Sequence, residues 1–307
     1  MAKILVTGAA GFIASHIADA LIAKNHEVAI IDDLSNGREE NINPEAIFFK
    51  IDISDEAEVK SVFDKFSPEI IFHLAAQANV RKSIENPEHD KEVNVTGTLN
   101  LLKNAARVGT KHFIFSSTGG AVYGDDAPRP TPETAEAKPA SPYGQHKLES
   151  EQNIQRSAEE NGFKATILRY ANVYGPRQYP KGGAGVIAIF AQKIISNEPL
   201  TMFGSGNQTR DYVFVKDVVN ANLKAFEGEI KGIFNIGTGV ETPLNAIVEN
   251  LEKICDKKVE VEHLPANPGE LEASCLDVSK AKSELGWSAE VSLEKGLSET
   301  VESLKNV

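Results

Sequence analysis

Short apolar runs alternate with longer amphipathic stretches through the first half of the chain. The runs at Ile4–Thr7, Val28–Asp32, Ile47–Ile51, Ile70–Leu74, Phe113–Ser116 and Ala165–Arg169 are rich in Ile, Val, Leu and Phe and predict strands. Between them, apolar residues recur at helical spacing over Phe12–Lys24, Glu56–Phe66, Lys91–Val108 and Pro142–Asn161. The strand runs carry almost no polar alternation, the pattern of strands covered on both faces. Strand–helix alternation of this kind predicts an α/β fold built on a doubly wound parallel sheet with right-handed crossovers. Functional residues are then expected at the carboxyl ends of the strands.

The pattern changes after Tyr170. Gly and Pro become frequent between residues 175 and 206, and strands shorten. A helix is expected over Val186–Ser196, a turn at Gly204-Ser-Gly-Asn207, a strand at Asp211–Val215 and a helix over Lys216–Phe226. Another strand at Gly232–Ile236 and a helix over Pro243–Cys255 follow. The expected organisation is a first domain over residues 1–170, a smaller α/β lobe over 171–307, and a segment near 211–236 crossing back to the first. The Pro-, Ala- and Glu-rich loop Asp125–Ala140 reads as a surface excursion.

Composition narrows the function classes. The chain has 307 residues, 41% hydrophobic and 25% charged, as in soluble globular proteins. Its net charge of -12 argues against nucleic-acid and anionic-membrane partners. An anionic ligand has to be held locally, by Arg residues and helix N-termini. Cys255 and Cys275 have no neighbouring Cys, so two buried free thiols are expected rather than a zinc site, and no metal is expected. No apolar run approaches membrane-spanning length and the first residues do not read as a signal peptide, so the expected compartment is the cytoplasm.

Gly8-Ala-Ala-Gly11-Phe-Ile-Ala14 follows the first predicted strand and opens the first predicted helix. Small residues there let the backbone approach a pyrophosphate, whose charge the helix N-terminus favours. A tight turn needs glycine in any case, so the context decides. Asp32 closes the second strand 21 residues after Gly11. Its carboxylate can accept hydrogen bonds from adenosine ribose hydroxyls and would repel a 2′-phosphate, which favours NAD over NADP. Asp52 and Ile53 follow the third strand, toward the adenine edge. Leu74-Ala-Ala-Gln77 follows the fourth, where small residues would line the cofactor path.

At the other end of this half, Tyr143-Gly-Gln-His-Lys147 places a phenol and an ammonium four apart on one helix face. A free phenol titrates near pKa ~10, and a neighbouring ammonium favours its ionised form. Ser116-Ser-Thr118-Gly-Gly120 ends the fifth strand, so a hydroxyl is expected to face Tyr143 across the cleft. Taken singly, each is an ordinary turn residue or exposed pair.

The motifs together carry a resemblance. Thr7-Gly-Ala-Ala-Gly-Phe-Ile13, Asp32-Asp-Leu-Ser-Asn-Gly37, His73-Leu-Ala-Ala-Gln77, Ser117-Thr-Gly-Gly-Ala-Val-Tyr-Gly124 and Ser141-Pro-Tyr-Gly144 with Lys147 occur in order. Arg169-Tyr-Ala-Asn-Val-Tyr-Gly-Pro176, Gly206-Asn-Gln-Thr-Arg-Asp-Tyr212 and Leu285-Gly-Trp287 extend them over nearly the whole chain. The chain resembles the extended short-chain dehydrogenases/reductases, and among them the UDP-glucose (UDP-galactose) 4-epimerases of galactose metabolism. That resemblance implies a Rossmann domain holding NAD. It makes Tyr143 the acid/base, Lys147 the residue that holds the nicotinamide ribose and lowers the Tyr pKa, and Thr118 the contact to sugar O4, with Ser117 next should the turn be offset. Cofactor contacts are implied at Gly8, Gly11, Phe12 and Ile13, at Asp32, Asp33, Asn36 and Gly37, and at Asp52 and Ile53. They continue through Leu74, Ala75, Ala76 and Gln77 to Asn94, Ser116, Tyr143, Lys147 and Tyr170. The UDP-sugar is implied to meet Ser83, Thr118, Tyr143, Asn172, Val186, Arg210 and Glu270. A homodimer through a four-helix contact of the helices near Lys91–Val108 and Pro142–Asn161 is also implied, although Leu99, Leu102 and Ala106 would equally suit packing on the protein's own sheet.

Two departures stand out: Ala14 replaces the usual third glycine, and Asn267-Pro-Gly-Glu270 lacks the Arg that relatives often carry there. Gly119 and Gly120 beside Thr118 leave no acidic residue for a dehydratase or decarboxylase, which favours simple C4 epimerisation of a UDP-hexose. UDP-glucuronate, for which Arg177 is the nearest cation, and UDP-N-acetylhexosamines are the alternative substrates. From a different class, a catalytically silent NAD-binding regulatory protein is the other reading, and the intact Tyr143, Lys147 and Thr118 set weighs against it.

Overall fold

The computed structural model describes residues 1–180, 185–266 and 271–305. The first half contains β1 (Lys3–Thr7), α1 (Phe12–Ala23), β2 (Glu27–Asp32), β3 (Ile47–Lys50), α2 (Glu56–Phe66), β4 (Ile70–His73), α3 (Val80–Glu85), α4 (Pro87–Lys91), a π-helical turn (Glu92–Thr96), α5 (Gly97–Val108), β5 (His112–Thr118), α6 (Gly119–Val122), α7 (Pro142–Asn161) and β6 (Lys164–Tyr170). The second contains β7 (Asn172–Tyr174), α8 (Val186–Ile195), β8 (Leu200–Phe203), β9 (Thr209–Phe214), α9 (Val215–Glu227), β10 (Gly232–Ile236), β11 (Glu241–Pro243), α10 (Leu244–Cys255), β12 (Val261–Leu264), α11 (Ser279–Glu284) and α12 (Leu293–Lys305).

Seven strands form one parallel sheet in the order β10-β6-β5-β4-β1-β2-β3. The winding reverses between β1 and β4, and that switch point opens a crevice at the carboxyl ends of the strands. Alternate strand residues feed two cores. Ile4, Val6, Ile30, Phe72 and Leu168 meet Ile17 and Leu21 of α1 and Val218 and Ala221 of α9. Leu5, Ile31, Ile71, Phe113, Phe115 and Ile167 meet Val59 and Phe63 of α2, Leu101 and Ala105 of α5, and Ile154 of α7. The expectation of strands covered on both faces fails only at the edge: Ile47 on β3 is exposed because no strand lies beyond it.

Local signals fix the ends of the helices that carry the site. Asp55 caps α2 by accepting from the Ala57 and Glu58 amides, and Ser141 caps α7 by accepting from the Gly144 amide, with Pro142 at the first helical position. Gly109 and Gly162 end α5 and α7 in the left-handed conformation. The single helix expected over Lys91–Val108 is instead three pieces, because the backbone widens into a π turn at Glu92–Thr96. Such turns insert one extra residue per turn and cluster at functional sites.

The chain does return to the first sheet, but not from residue 211. β9 belongs to a separate three-stranded sheet, β11-β9-β7, and the return consists of α9, packed on α1, and β10 beside β6. The second lobe has its own core, in which Phe190 and Ile194 of α8, Ile247 and Leu251 of α10, and Leu297 and Val301 of α12 surround Tyr174 and Phe214. Trp287 is buried and donates its indole N–H to the Asp217 carbonyl at 2.9 Å. The Asp125–Ala140 loop is stapled rather than loose. Thr131 is buried and its backbone pairs with Cys275 and Asp277, while Glu133 accepts from the Asn235 amide. Cys255 is half-buried and Cys275 buried, and both are free thiols. Among the described residues no helix is long and apolar enough to cross a membrane.

Candidate active site

The turn from β1 into α1 is built for close backbone approach. Gly8 has φ +75°, and a Cβ there would sit 2.7 Å from the Ala75 amide nitrogen. The Gly11 N-cap contributes no side-chain cap, so the first amides of α1 are left without a side-chain acceptor. Asp32 is buried and accepts from the Ala10 amide at 3.0 Å and the Leu34 amide at 2.9 Å. Desolvation raises its carboxyl pKa against those two bonds. Gly37 passes against Ala10 and Asp32, where a Cβ would lie 2.6 Å from the Ala10 methyl. Asp33 turns away to its own loop and accepts from Ser35, and Asn36 is exposed beside it. Phe12 and Ile13 open α1 half-buried.

Asp52 accepts from the Ser54 amide at 2.8 Å, closing the turn after β3. Ile53 is a core residue packed on Gly97, with its carbonyl taken by Asn100. The loop after β4 hangs from a buried hydrogen-bond chain. The Leu74 and Ala75 amides both donate to Thr7 Oγ1, which lies 2.8 Å from His73 Nδ1, and His73 Nε2 lies 2.8 Å from Thr98 Oγ1. Thr98 donates its own proton to the Asn94 carbonyl, so its oxygen accepts from His73 Nε2 and the Thr7 hydroxyl donates to Nδ1. Complete burial holds the His73 pKa well below its ordinary value, in keeping with that neutral tautomer. Asn94, inside the π turn, exchanges two hydrogen bonds with the Gln77 backbone, while Ala76 between them is half-buried.

On α7, Tyr143 and Lys147 lie one turn apart, and the helix packs on β5. Lys147 is buried, donates to the Ser116 carbonyl at 2.9 Å, and lies 4.5 Å from the Phe115 ring centre. Burial brings its pKa down to about 8, against the opposing pull of Glu151 and Asp90. The expectation that Lys147 lowers the Tyr143 pKa is not met in this arrangement. The phenol is shifted upward, first by desolvation and then by Asp90, and its side chain has no hydrogen-bond partner among the described residues. The ammonium is turned to the strand, not to the phenol.

The three hydroxyls that close β5 part ways. Ser116 and Thr118 share one face of the strand and Ser117 takes the other, as period-two alternation requires. Ser117 is buried and donates to Glu151, which also forms a two-pronged ion pair with Arg169 at 3.0 and 2.6 Å. That commitment removes Ser117 as the alternative to Thr118. Thr118 remains half-buried at the strand end, where α6 begins. Tyr170 pairs with Thr118 in register, but its phenol is buried and accepts from Asn222 at 2.8 Å. In this arrangement the phenol packs in the core beneath the site.

The remaining expected substrate contacts are spread over the cleft. Ser83 is buried and accepts from the Tyr143 amide at 3.2 Å, so it supports the start of α7. Asn172 is exposed on β7 in register with Tyr212, Val186 opens α8, and Arg210 on β9 donates to the Thr209 carbonyl at 2.8 Å. Glu270 and Asn267 lie outside the described residues. A shallow pocket opens beside Gly119 and Gly120, lined by Tyr123, Arg129, Ser274 and Cys275. Arg177 is not offered to it, since it is paired with Asp19 at 2.7 Å. The segment from Pro176 to Tyr179 instead straps α1 to the second lobe. His16 donates to the Pro176 carbonyl at 2.9 Å, and Arg38 stacks 4.3 Å from the Tyr179 ring centre. The buried Asp90 lies 2.6 Å from the half-buried His146 of α7, a pair that no motif marks in the sequence.

Residues 4–237 match the model of the NAD dependent epimerase/dehydratase family. The chain belongs to that family. The family match ends one residue after β10, so it includes the returning strand. Among relatives in this family, a putative UDP-glucose 4-epimerase of Methanocaldococcus jannaschii is 44% identical over 303 residues, covering 99% of this chain and 98% of the relative. The crystal structure of UDP-glucose 4-epimerase with UDP-glucose from Thermotoga maritima superposes with a TM-score of 0.96 at 47% identity, covering 99% of this chain and 98% of that one. The Thermus thermophilus UDP-glucose 4-epimerase in complex with NAD superposes with a TM-score of 0.94 at 39% identity, covering 99% of each chain. The residues present fit a dinucleotide: the turn at Gly8 excludes a Cβ, α1 opens without a side-chain cap, and a buried carboxylate closes β2.

Proposed function

We propose that this protein interconverts UDP-glucose and UDP-galactose by NAD-dependent epimerisation at C4, through a 4-keto sugar. The observation that carries the reading is the arrangement of Tyr143 and Lys147 one turn apart on α7, with the Lys147 ammonium bonded to the end of the strand that presents Thr118. The relatives named above support the UDP-hexose as substrate. Gly8, Gly11 and the open amides of α1 would hold the pyrophosphate, Asp32 the adenosine ribose, and Lys147 the nicotinamide ribose. Bound NAD supplies reversible hydride uptake at a carbinol carbon.

The protein's own part is proton management and orientation. Tyr143 takes the proton from the C4 hydroxyl as hydride leaves C4, and returns it to the same oxygen once the keto sugar has turned its opposite face to the cofactor, so that C4 is inverted. Thr118 holds O4 during both half-reactions. Burial and Asp90 raise the phenol pKa, so Tyr143 by itself favours its protonated form. It turns into an effective base only when Lys147 redirects an N–H from the Ser116 carbonyl toward the ribose and phenol. Ser83 fixes the backbone from which the phenol swings. Arg210 and Asn172 supply donors to the diphosphate and sugar. A second copy is expected to cover the outer faces of α5 and α7, a role supported by Leu99, which is 44% exposed while Leu102 is 3% exposed and faces the protein's own sheet. We assign the cytoplasm as compartment.

The test is a panel of UDP-sugars, including the N-acetylhexosamines and UDP-glucuronate, incubated with purified protein and no added cofactor, with C4 epimers sought by NMR. UDP-galactose conversion is expected, and with Arg177 committed to Asp19 the uronate is expected to be a poor substrate. Tyr143→Phe should lower turnover at least ~10³-fold while the protein still retains NAD. Unchanged conversion by that variant would falsify the mechanism.

A further inference from the structure

Resting on the reading above, we propose that Asp90 is a positioning residue for the catalytic pair, gripping the loop after β4 and the α7 helix at once through its two carboxylate oxygens. The carboxylate is completely buried at the end of α4. Oδ1 accepts from Gln77 Nε2 at 2.6 Å, and Oδ2 lies 2.6 Å from His146 Nδ1. Gln77 is locked into its loop, since its amide nitrogen also donates to the Asn79 carbonyl and its amide oxygen accepts from the Asn79 N–H at 2.7 Å. His146 immediately precedes Lys147 on α7. The Ser150 hydroxyl, one turn on, bonds the carbonyls of both His146 and Asn94. One buried anion therefore ties the wall of the cofactor path to the helix turn that carries Tyr143 and Lys147. A displaced α7 would move phenol and ammonium together, and misplacement by ~1 Å costs orders of magnitude in rate.

The anion acts on charge as well as on place. Asp90 raises the pKa of Tyr143 and of Lys147, so it favours the protonated form of each. The other charged or titratable groups on elements packed against this turn are already committed or remote. Glu151 is paired with Arg169, His73 is neutral between two threonines, Lys91 reaches Glu149 on the outside, and Glu88, His89 and Glu92 are exposed, with His89 beside Glu92. Arg81, Lys82 and Glu85 of α3 are exposed, and Lys103 and Arg107 of α5 pair with Glu56 and Asp64. Asp90 is thus the anion that α4 directs at the pair.

The test compares Asp90→Asn and His146→Asn with the parent on UDP-galactose, measuring kcat, KM and the pH profile of kcat/KM. Asp90→Asn removes the charge and keeps the shape. Both limbs of its profile should move to lower pH by about half a unit or more, because the phenol and the ammonium each lose the group that raises their pKa. Its kcat should fall about tenfold at little-changed KM. His146→Asn keeps the carboxylate, so its profile should stay in place while kcat falls. A structural loss alone lowers amplitude without moving the limbs. An Asp90→Asn profile that superimposes on the parent's overturns the proposal, as does parental kcat in both variants. If Asp90→Asn does not fold, His146→Asn decides alone: a fall of about fivefold or more at parental KM supports the proposal, and parental kcat overturns it. An inactive parent takes down the functional reading and this one together, whereas an active parent with indifferent variants overturns only this one.

Discussion

At the level of single residues, the site combines side chains whose identity was legible with partners that were not. Tyr143, Lys147, Thr118, Gly8 and Asp32 could be proposed from the sequence because each sits at a fixed distance from a strand end or helix start. Ser117 and Tyr170 could not be sorted from their neighbours, because which face of a strand-end residue meets the cleft depends on Glu151 and Asn222, far along the chain. Gly8→Ala should lose ~1–3 kcal/mol of stability and shed NAD on gel filtration, since its φ of +75° and the Ala75 backbone 2.7 Å away leave no room for a methyl group. Glu151→Gln leaves Arg169 buried beside a neutral partner and should cost ~3–5 kcal/mol in urea unfolding. His112 gives a pH signature. Burial lowers its pKa to about 4, so between pH ~6.5 and ~4 the unfolded chain binds the extra proton and stability falls as pH falls. A His112→Gln variant should flatten that slope by up to ~3 kcal/mol over the window, read from urea midpoints.

Among the elements, the periodic ones were readable and the widened one was not. Strands and helices of the first half announced themselves because their apolar faces had to match two cores. The π turn at Glu92–Thr96 has no such signature. Its sequence, Glu-Val-Asn-Val-Thr, continues the helical pattern on both sides, and its departure is held by bonds from Asn94 to Gln77 and from Ser150 to Asn94. Asn94→Ala should therefore lower kcat more than it lowers Tm, because it frees the loop after β4 while leaving the cores intact. Capping is the simpler case: Ser141→Ala should cost ~1 kcal/mol of stability, measured by thermal unfolding.

For the molecule as a whole, what escaped the sequence was connectivity between the lobes. The returning strand at Gly232–Ile236 was visible as an apolar run, but its place beside β6 depends on a pairing 66 residues away in the chain, Gly232 against Thr166. The strap was equally hidden, since Arg177 and Tyr179 gain meaning only from Asp19 and Arg38. Asp19→Ala with Arg38→Ala should speed NAD loss from the purified protein, followed by absorbance of the filtrate, while the cores keep the fold intact. The return of α9 and β10 also decides how this protein can be recombined. A cut at Tyr170 would strip β6 of its neighbour and leave a long apolar border open to self-association. Any hybrid that borrows another family member's sugar specificity has to transplant residues 171–214 and 237–307 as a matched set, leaving α9 and β10 between them with their original host.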